Sequence, residues 1–330
     1  MKDRVLRVSG YVLFFAIYLY LLSGCSKPLS SDEKGNYNPP PSGNSCTATK
    51  PNAENIQLFP ADNPWNLDIS TAAIDPYNTQ IIAGFATNTI KADFGSGPWN
   101  GAPIGIPYIV VCGDQPKTTI NYTDYGDESD PGPFPIPLNA PIEGNGAGDS
   151  HVIAIDVENR VLYELFNAHV NGTHWDASSG AMFDLKTNVL RPDGWTSADA
   201  AGLPIFTGLV RYEEIVKGLI DHPFRFTLPS AKVKPAYIYP ARHKVNSSGG
   251  QYSSLPFGAR IRLNANFDFG SYSATNKIIL TAMKKYGLIL ADIGSNLYIT
   301  GAPDERWNND DLQKLAQVHG SDFEVVKFNN

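Results

Sequence analysis

Two strand-like segments separated by a short polar turn constrain the fold of this chain more than any other feature. They occupy residues 151–156 and 160–167, and β-branched and other apolar residues dominate both. The three intervening residues, Val157, Glu158 and Asn159, leave room only for a reversal of the chain. The pattern therefore predicts a β-hairpin.

The register of this hairpin decides which side chains share a face. A turn centred on residues 158 and 159 pairs Ile153 with Glu164 and places His151 on the face of Glu164. A three-residue turn shifts the register by one residue and sends His151 and Glu164 to opposite faces. An ionised carboxylate among apolar side chains is costly unless it is paired or functional. Glu164 is therefore either a general acid with a raised pKa or a structural carboxylate paired with an arginine.

The remaining patterns are mostly those of strands. Apolar segments predict strands at 104–112, 224–228, 237–239, 259–264, 288–292, 296–300 and 323–328, and short helices at 211–217, 275–286 and 309–318. Residues 124–148 and 169–204 have the composition of long loops, and no internal repeat is present. We expect a mostly β fold: an antiparallel β-sandwich of jelly-roll type with long loops and a few short peripheral helices, forming a single domain over residues 56–330.

The N-terminus has the features of an export signal. Three basic residues precede an apolar run at 11–22 that is too short to span a bilayer, and small residues follow it. The sequence Leu22-Ser23-Gly24-Cys25 resembles the bacterial lipobox. The resemblance implies cleavage after a signal peptide of residues 1–24, and a lipid on Cys25 that attaches the protein to a membrane.

Residues 25–55 are rich in Ser, Pro, Asn and Gly and predict a disordered tether between the lipid and the domain. Ser26 follows the lipidated cysteine, which by resemblance to Gram-negative sorting rules implies the outer membrane. The acidic run at 30–33 resembles a surface-exposure signal of lipoproteins. We expect a cell-envelope lipoprotein of the outer membrane. Cys46 and Cys112 either form a disulfide or stay as two thiols.

Composition narrows the choice of partners. The formal net charge is −7 and no basic run follows the signal, so nucleic acid is excluded as a partner. The 16 Phe, 16 Tyr and 5 Trp residues suit a surface that stacks on sugar rings. No nucleophile-elbow, zinc-protease, phosphate-loop or dinucleotide motif occurs, so we predict no cofactor.

Acids, histidines, arginines and tryptophans concentrate between residues 151 and 243. Hydrolysis of a glycosidic bond needs two carboxyl groups beside it, and we expect a polysaccharide hydrolase. The predicted catalytic residues are Glu164, Asp184, Asp199 and His151, and the predicted substrate-binding residues are Trp175, Trp195, Arg191, Arg242 and His243.

Two other functions stay open. A polysaccharide lyase would use His151 or His243 to remove a proton, with Arg191 or Arg242 to neutralise the substrate carboxylate. The chain is otherwise a non-catalytic glycan-binding or structural lipoprotein of the envelope.

His169, His174 and Asp176 have ligand-type side chains close in sequence. Their spacing matches no metal motif, and a loop with two incidental histidines is the favoured interpretation. We predict no metal site.

Several phrases resemble an uncharacterised family of exported bacterial proteins. They are RPDGWTSADAAGLPI at 191–205, GLVRYEE at 208–214, YPARH at 239–243 and KKYGLILADIGSNLYITGAPDERWNNDDL at 284–312. The resemblance extends over most of the chain from residue 59 onward. It implies export and assigns a role to no residue.

Overall fold

The computed structural model describes residues 56–328. The predicted signal peptide, the predicted lipidation site Cys25, the predicted tether and Cys46 lie outside the described residues. Cys112 is disulfide-bonded. Between residues 56 and 328, no helix is long and apolar enough to cross a membrane.

Strands are the dominant elements, at 27% against 19% for helices, which confirms the prediction of a β-rich fold. The strands are β1 (Lys91–Asp93), β2 (Pro98–Trp99), β3 (Ala102–Pro103), β4 (Ile109–Val111), β5 (Ile120–Tyr122), β6 (Val152–Asp156), β7 (Val161–Phe166), β8 (His169–Asn171), β9 (His174–Ala177), β10 (Ser179–Asp184), β11 (Phe224–Leu228), β12 (Val233–Tyr237), β13 (Leu255–Phe257), β14 (Arg260–Leu263), β15 (Leu288–Ile293), β16 (Tyr298–Thr300) and β17 (Phe323–Val325). The α-helices are α1 (Asn78–Ala83), α2 (Tyr212–Lys217), α3 (Ala274–Lys285) and α4 (Asn309–Leu312).

The strands form two larger sheets and three small ones. The six-stranded sheet has the order β1-β16-β11-β15-β14-β17, and the four-stranded sheet has the order β10-β7-β6-β4. A three-stranded sheet contains β5, β9 and β8, while β12 pairs with β13 and β2 with β3.

The strand pairing is mixed and not antiparallel throughout, as the predicted antiparallel sandwich would have it. Parallel pairing joins β1 to β16, β11 to β15, β4 to β6, β5 to β9 and β12 to β13. Parallel neighbours need long connections, so they pair strands that are distant in the chain, and turn signals between consecutive strands do not reveal them. The structure has several sheets and no barrel among the described residues, and the jelly-roll sandwich stays a prediction.

The central hairpin has the register expected of a turn centred on residues 158 and 159. Strands β6 and β7 pair antiparallel, with Ile153 opposite Glu164. Residues 169–204, which we predicted to be irregular, contain β8, β9 and β10. Their many polar and glycine residues hide the alternation that predicts a strand, and pairing with neighbouring strands stabilises them instead.

Helix α3 lies close to its predicted position. The Ser273 side chain caps its first turn by accepting a hydrogen bond from the Asn276 amide, and Ile279 and Met283 are fully buried on one stripe. Gly287 follows with φ of 73°, a conformation that favours glycine. Helix α4 is shorter than predicted, and the chain continues as a 3-10 helix over Gln313–Gln317.

Candidate functional site

A row of polar side chains crosses neighbouring strands on one face of the six-stranded sheet. Asp93 on β1 is the register partner of Thr300 on β16. Phe226 on β11 is opposite Ile299 on β16, so the preceding residue, Arg225, faces Thr300. Arg225 Nη1 lies 3.3 Å from Thr300 Oγ1, as this register requires. Phe226 and Ile299 are fully buried and point to the opposite, apolar face.

Asp292 extends this row to β15. It is the register partner of Thr227, two residues beyond Arg225, and therefore lies on the Arg225 face. The register between β11 and β15 shifts between Phe226 and Thr227, directly before this pair. Asp292 Oδ2 lies 3.9 Å from Arg225 Nη2. The polar row thus consists of Asp93, Thr300, Arg225 and Asp292.

Asp199 packs onto the row from the loop after β10. Its Oδ2 accepts hydrogen bonds from Arg225 Nε at 3.1 Å and from Nη2 at 2.6 Å, and both side chains are buried. Burial alone lowers the pKa of Arg225, but the negative charges of Asp199 and Asp292 outweigh it and raise that pKa. Asp199, predicted to be catalytic, is therefore the buried counter-ion of Arg225.

His151 and Glu143 form a second ion pair beside the row. His151 Nδ1 lies 2.5 Å from Glu143 Oε2, and its Nε2 donates to the Ala198 carbonyl at 2.9 Å. Burial alone lowers the pKa of His151, but the hydrogen bond and charge of Glu143 raise it above its ordinary value. Burial alone raises the pKa of Glu143, but His151 lowers it below its ordinary value.

Two carboxylates of this site reach solvent while the groups behind them are buried. The side chains of Glu143 and Asp292 are 24% and 27% exposed, whereas His151 and Arg225 are almost fully buried. Burial raises the pKa of Asp292 to about 7, and the charge of Asp199 adds to this effect. The surroundings thus favour the ionised form of Glu143 and the protonated form of Asp292.

Asp93 adds a third accessible carboxylate. Its side chain reaches solvent, yet surrounding protein atoms partly desolvate it and raise its pKa, and the charge of Glu143 raises it further. Asp93, Glu143, Asp199 and Asp292 outnumber the cations Arg225 and His151. Burial, to which this excess of negative charge adds, favours the protonated forms of Asp93 and Asp292.

Glu164 lies opposite Ile153 and on the same face of the hairpin as His151, as the predicted register requires. Its side chain is inaccessible to solvent. It is fully buried, and its carboxylate accepts hydrogen bonds from the backbone amides of Ile205 and Phe206 at 2.8 to 3.0 Å. Burial raises its pKa to about 7. The structure does not favour Glu164 as the catalytic acid, because its oxygens accept hydrogen bonds from the 205–206 loop in the protein interior.

Two further assignments are also corrected. Trp175 is fully buried and its indole Nε1 donates to the Ile136 carbonyl, so neither ring face can stack on a sugar. Asp184 lies at the solvent-exposed end of β10, where Oδ1 accepts a hydrogen bond from the Lys186 amide and pairs with its ammonium group. It caps a turn and has no contact with the polar row.

The remaining predicted residues form an outer cluster of Arg191, Trp195, Arg242 and His243. Arg191 is buried; it pairs with the Asp130 carboxylate and donates to two backbone carbonyls. Its guanidinium lies 5.7 Å from the Trp195 ring centre. Arg242 pairs with Asp193 at 3.0 Å. Both arginines bind the protein's own loops, Arg191 in the interior and Arg242 at a partly exposed position.

One residue connects the outer cluster to the polar row. The Ala200 amide lies 3.5 Å from Asp292 Oδ2, and the Ala200 carbonyl lies 2.8 Å from His243 Nδ1. The His243 side chain is partly exposed, and Nε2 lies 3.7 Å from Glu128 Oε2. The loop that carries Asp199 therefore separates the two groups and contacts both.

The structure supports no metal site in the 169–176 segment. Asp176 accepts hydrogen bonds from the amides of Asn121 and Asn171 at 2.8 Å, and His174 lies 3.2 Å away. His169 faces Asn167 instead. Within residues 56–328, no group of three His, Cys, Asp or Glu side chains is arranged to hold a metal ion.

Sequence reasoning missed Asp93, Glu143, Arg225, Asp292 and an exposed tryptophan, Trp99. Trp99 lies on the β2–β3 hairpin and is 71% exposed. The Gly101 carbonyl in this hairpin accepts a hydrogen bond from Asn145, two residues after Glu143. The available signals were a charge inside the apolar segment Phe224–Leu228 and an acid near the end of Leu288–Ile293.

Comparison with known proteins gives no match: no family model, no curated protein and no solved structure is significantly similar to the chain. The resemblance to a family of exported bacterial proteins therefore stays a prediction.

Proposed function

We propose that this chain is an exported envelope lipoprotein that hydrolyses a polysaccharide, with Asp292 as general acid and Glu143 as the second carboxylate. One observation carries the proposal. Two partly exposed carboxylates, Glu143 and Asp292, both interact electrostatically with the buried Arg225, and their surroundings displace their pKa values in opposite directions. Such a separation is what acid and base roles at neutral pH require.

The chemistry follows from the protonation states. Asp292, with a pKa near 7, can donate a proton to the oxygen of the leaving sugar. Glu143, held ionised by His151, can attack the sugar carbon or activate water. Arg225 and His151 are positioning residues, because their polar atoms are used within the protein.

A polymeric substrate is supported by the surroundings of the site. Trp99 offers an exposed ring on a hairpin that is hydrogen-bonded to the turn after Glu143. The lipid on Cys25 and the tether of residues 25–55 are part of the proposal, since they suit a protein acting on large envelope or surface polymers. We also propose that the β-rich fold is a jelly-roll-like sandwich.

Release of reducing ends from neutral and acidic polysaccharides tests this function. We expect Asp292→Asn and Glu143→Gln each to lower kcat by about 10²-fold or more, while Asp184→Asn, at an exposed turn, keeps the native rate. Trp99→Ala should mainly raise KM.

Other results would contradict the proposal. Products that absorb in the near ultraviolet would show an unsaturated uronic ring and hence a lyase. Glycan binding without release of any product would show a non-catalytic binding protein. Full activity of both carboxylate variants would remove these residues from the mechanism.

A further inference from the structure

A cavity beside β14 is lined by a buried arginine. Its volume is about 490 Å³, within the range typical of small-molecule sites. Arg260, on β14, is one of its lining residues and is only 9% exposed. The cavity wall is otherwise mainly apolar, with Leu67, Ile69, Ile238, Val326 and Phe328 among its lining residues.

The Arg260 guanidinium has few protein partners. Its Nη2 donates to the Pro64 carbonyl. No other hydrogen bond and no carboxylate partner is found for it among residues 56–328. None of its nitrogens is both buried and unpartnered, so the remaining N–H groups have accessible surface, and the cavity is the space that Arg260 lines.

Three other buried arginines each have a carboxylate partner within the protein. Arg225 pairs with Asp199, Arg211 with Glu214, and Arg262 with Glu324. Burial without an anion is costly for a guanidinium, and it lowers the pKa of Arg260 to about 10. Arg260 thus lacks the compensating anion that each of these arginines has within the protein.

A second cation lies at the mouth of the cavity. Lys327 is exposed, and its ammonium group has no acceptor among the described residues. Tyr239, with an exposed side chain, lines the cavity as well. The cavity therefore combines one deep cation, one outer cation and apolar walls.

We propose that this cavity binds a carboxylate with an apolar body, such as a fatty acid, with the carboxylate on the Arg260 guanidinium. The planar guanidinium matches a carboxylate through two parallel hydrogen bonds. The apolar body packs against Leu67, Ile238 and Phe328. One deep cation and predominantly apolar walls favour a monoanion over a polyanion such as a phosphorylated sugar. This site is independent of the proposed hydrolase function.

Calorimetric titration of the full chain with decanoate, below its micelle concentration and near neutral pH, tests the proposal. Decanamide, which has the same length without charge, is the matched ligand. We expect decanoate to bind, and decanamide to bind at least about tenfold more weakly. Arg260→Met should reduce decanoate affinity by about tenfold or more, whereas Lys314→Gln, an exposed lysine elsewhere, should leave it unchanged.

A second variant keeps the test decisive if Arg260→Met does not fold. Leu67 lines the cavity and is partly exposed, so Leu67→Trp fills the cavity without changing Arg260. This variant should no longer bind decanoate. Absence of decanoate binding to the native chain would overturn the proposal. Equal binding of decanoate and decanamide, or native affinity in Leu67→Trp, would overturn it as well.

Discussion

His151 Nδ1 lies 2.5 Å from Glu143 Oε2 while Nε2 of the same ring donates to the Ala198 carbonyl. Because both ring nitrogens face acceptors, a proton must lie between His151 and Glu143. The pair is an imidazolium and a carboxylate, one member buried and the other partly exposed. The pair joins His151, which directly precedes β6 of the four-stranded sheet, to the turn that carries Glu143.

The contribution of this pair to stability should be largest between about pH 4.5 and 6.5. The pKa of His151 is raised from 6.5, so its contribution is complete below that value and is lost as pH rises through the folded-state pKa. The pKa of Glu143 is lowered from 4.5, so its contribution is complete above that value and is lost as pH falls. His151→Asn should cost about 3 kcal/mol within the window.

Urea unfolding of the native chain, His151→Asn, Glu143→Gln and the double variant gives the coupling energy at each pH. A coupling energy that stays constant well above and below this window would contradict the assignment of an ion pair.

Glu164 should determine stability without affecting catalysis. Glu164→Ala leaves the Ile205 and Phe206 amides without their acceptor and opens a cavity, so we expect a loss of about 2–4 kcal/mol. Glu164→Gln keeps an acceptor and should retain the rate of cleavage. Loss of cleavage in a stably folded Glu164→Gln variant would instead show a catalytic role.

The pH dependence of stability should report the raised pKa of Glu164. Between about 4.5 and about 7 the folded chain keeps a proton on Glu164 that the unfolded chain releases, so this group makes stability fall as pH rises. Glu164→Gln should remove this component and flatten the curve. Unfolding midpoints measured across the interval check it, and an unchanged slope would mean that Glu164 has an ordinary pKa in the fold.

A buried triad should be essential for stability: Glu214 of helix α2, the N-cap residue Arg211, and His222, which follows the helix. Glu214 Oε1 lies 2.5 Å from Arg211 Nη2 and 2.8 Å from His222 Nε2. Glu214→Ala leaves the buried Arg211 guanidinium without its carboxylate partner and the buried His222 Nε2 without its hydrogen-bond partner, and should cost about 3–5 kcal/mol. The adjacent Glu213→Ala removes a solvent-exposed pair with Arg306 and should cost about 0–1 kcal/mol. Similar losses in the two variants, measured by urea unfolding, would contradict this assignment.

Truncation of Trp175 and of Trp99 to alanine should affect the free energy of unfolding to very different extents. Trp175→Ala removes a fully buried ring and should cost about 3–5 kcal/mol of unfolding free energy. Trp99→Ala removes an exposed ring and should change stability by about 0.5 kcal/mol or less. Thermal unfolding measures both, and a stable Trp175→Ala variant would show that this ring is not part of the core.

Local sequence patterns predicted the central hairpin and limited it to two possible registers. The alternation of residues 151–167 and the short turn predicted two strands and left two registers open. The helix at Ala274–Lys285 followed from an N-cap, an apolar stripe and a terminal glycine, all within one segment. The parallel strand pairs were missed because their signals are not local.

The candidate site could be predicted only in part. His151 and Asp199 belong to it, but Glu164 and Trp175 are buried structural residues, and Asp184 lies at an exposed turn. Residue type identifies groups capable of acid–base chemistry. Burial and partners decide which of them do it, and both depend on the assembled fold.

The sequence by itself determined a β-rich chain, the Ile153–Glu164 register as one of two choices, and the positions of the main helices, because these depend on side-chain alternation and caps within short segments. Only the tertiary structure decided that Asp93, Arg225 and Asp292 share one sheet face. They come from strands far apart in the chain, and pairing in register, with period-two side-chain orientation, places their charges together. The displaced pKa values follow from the burial of these groups together with the proximity of their charges.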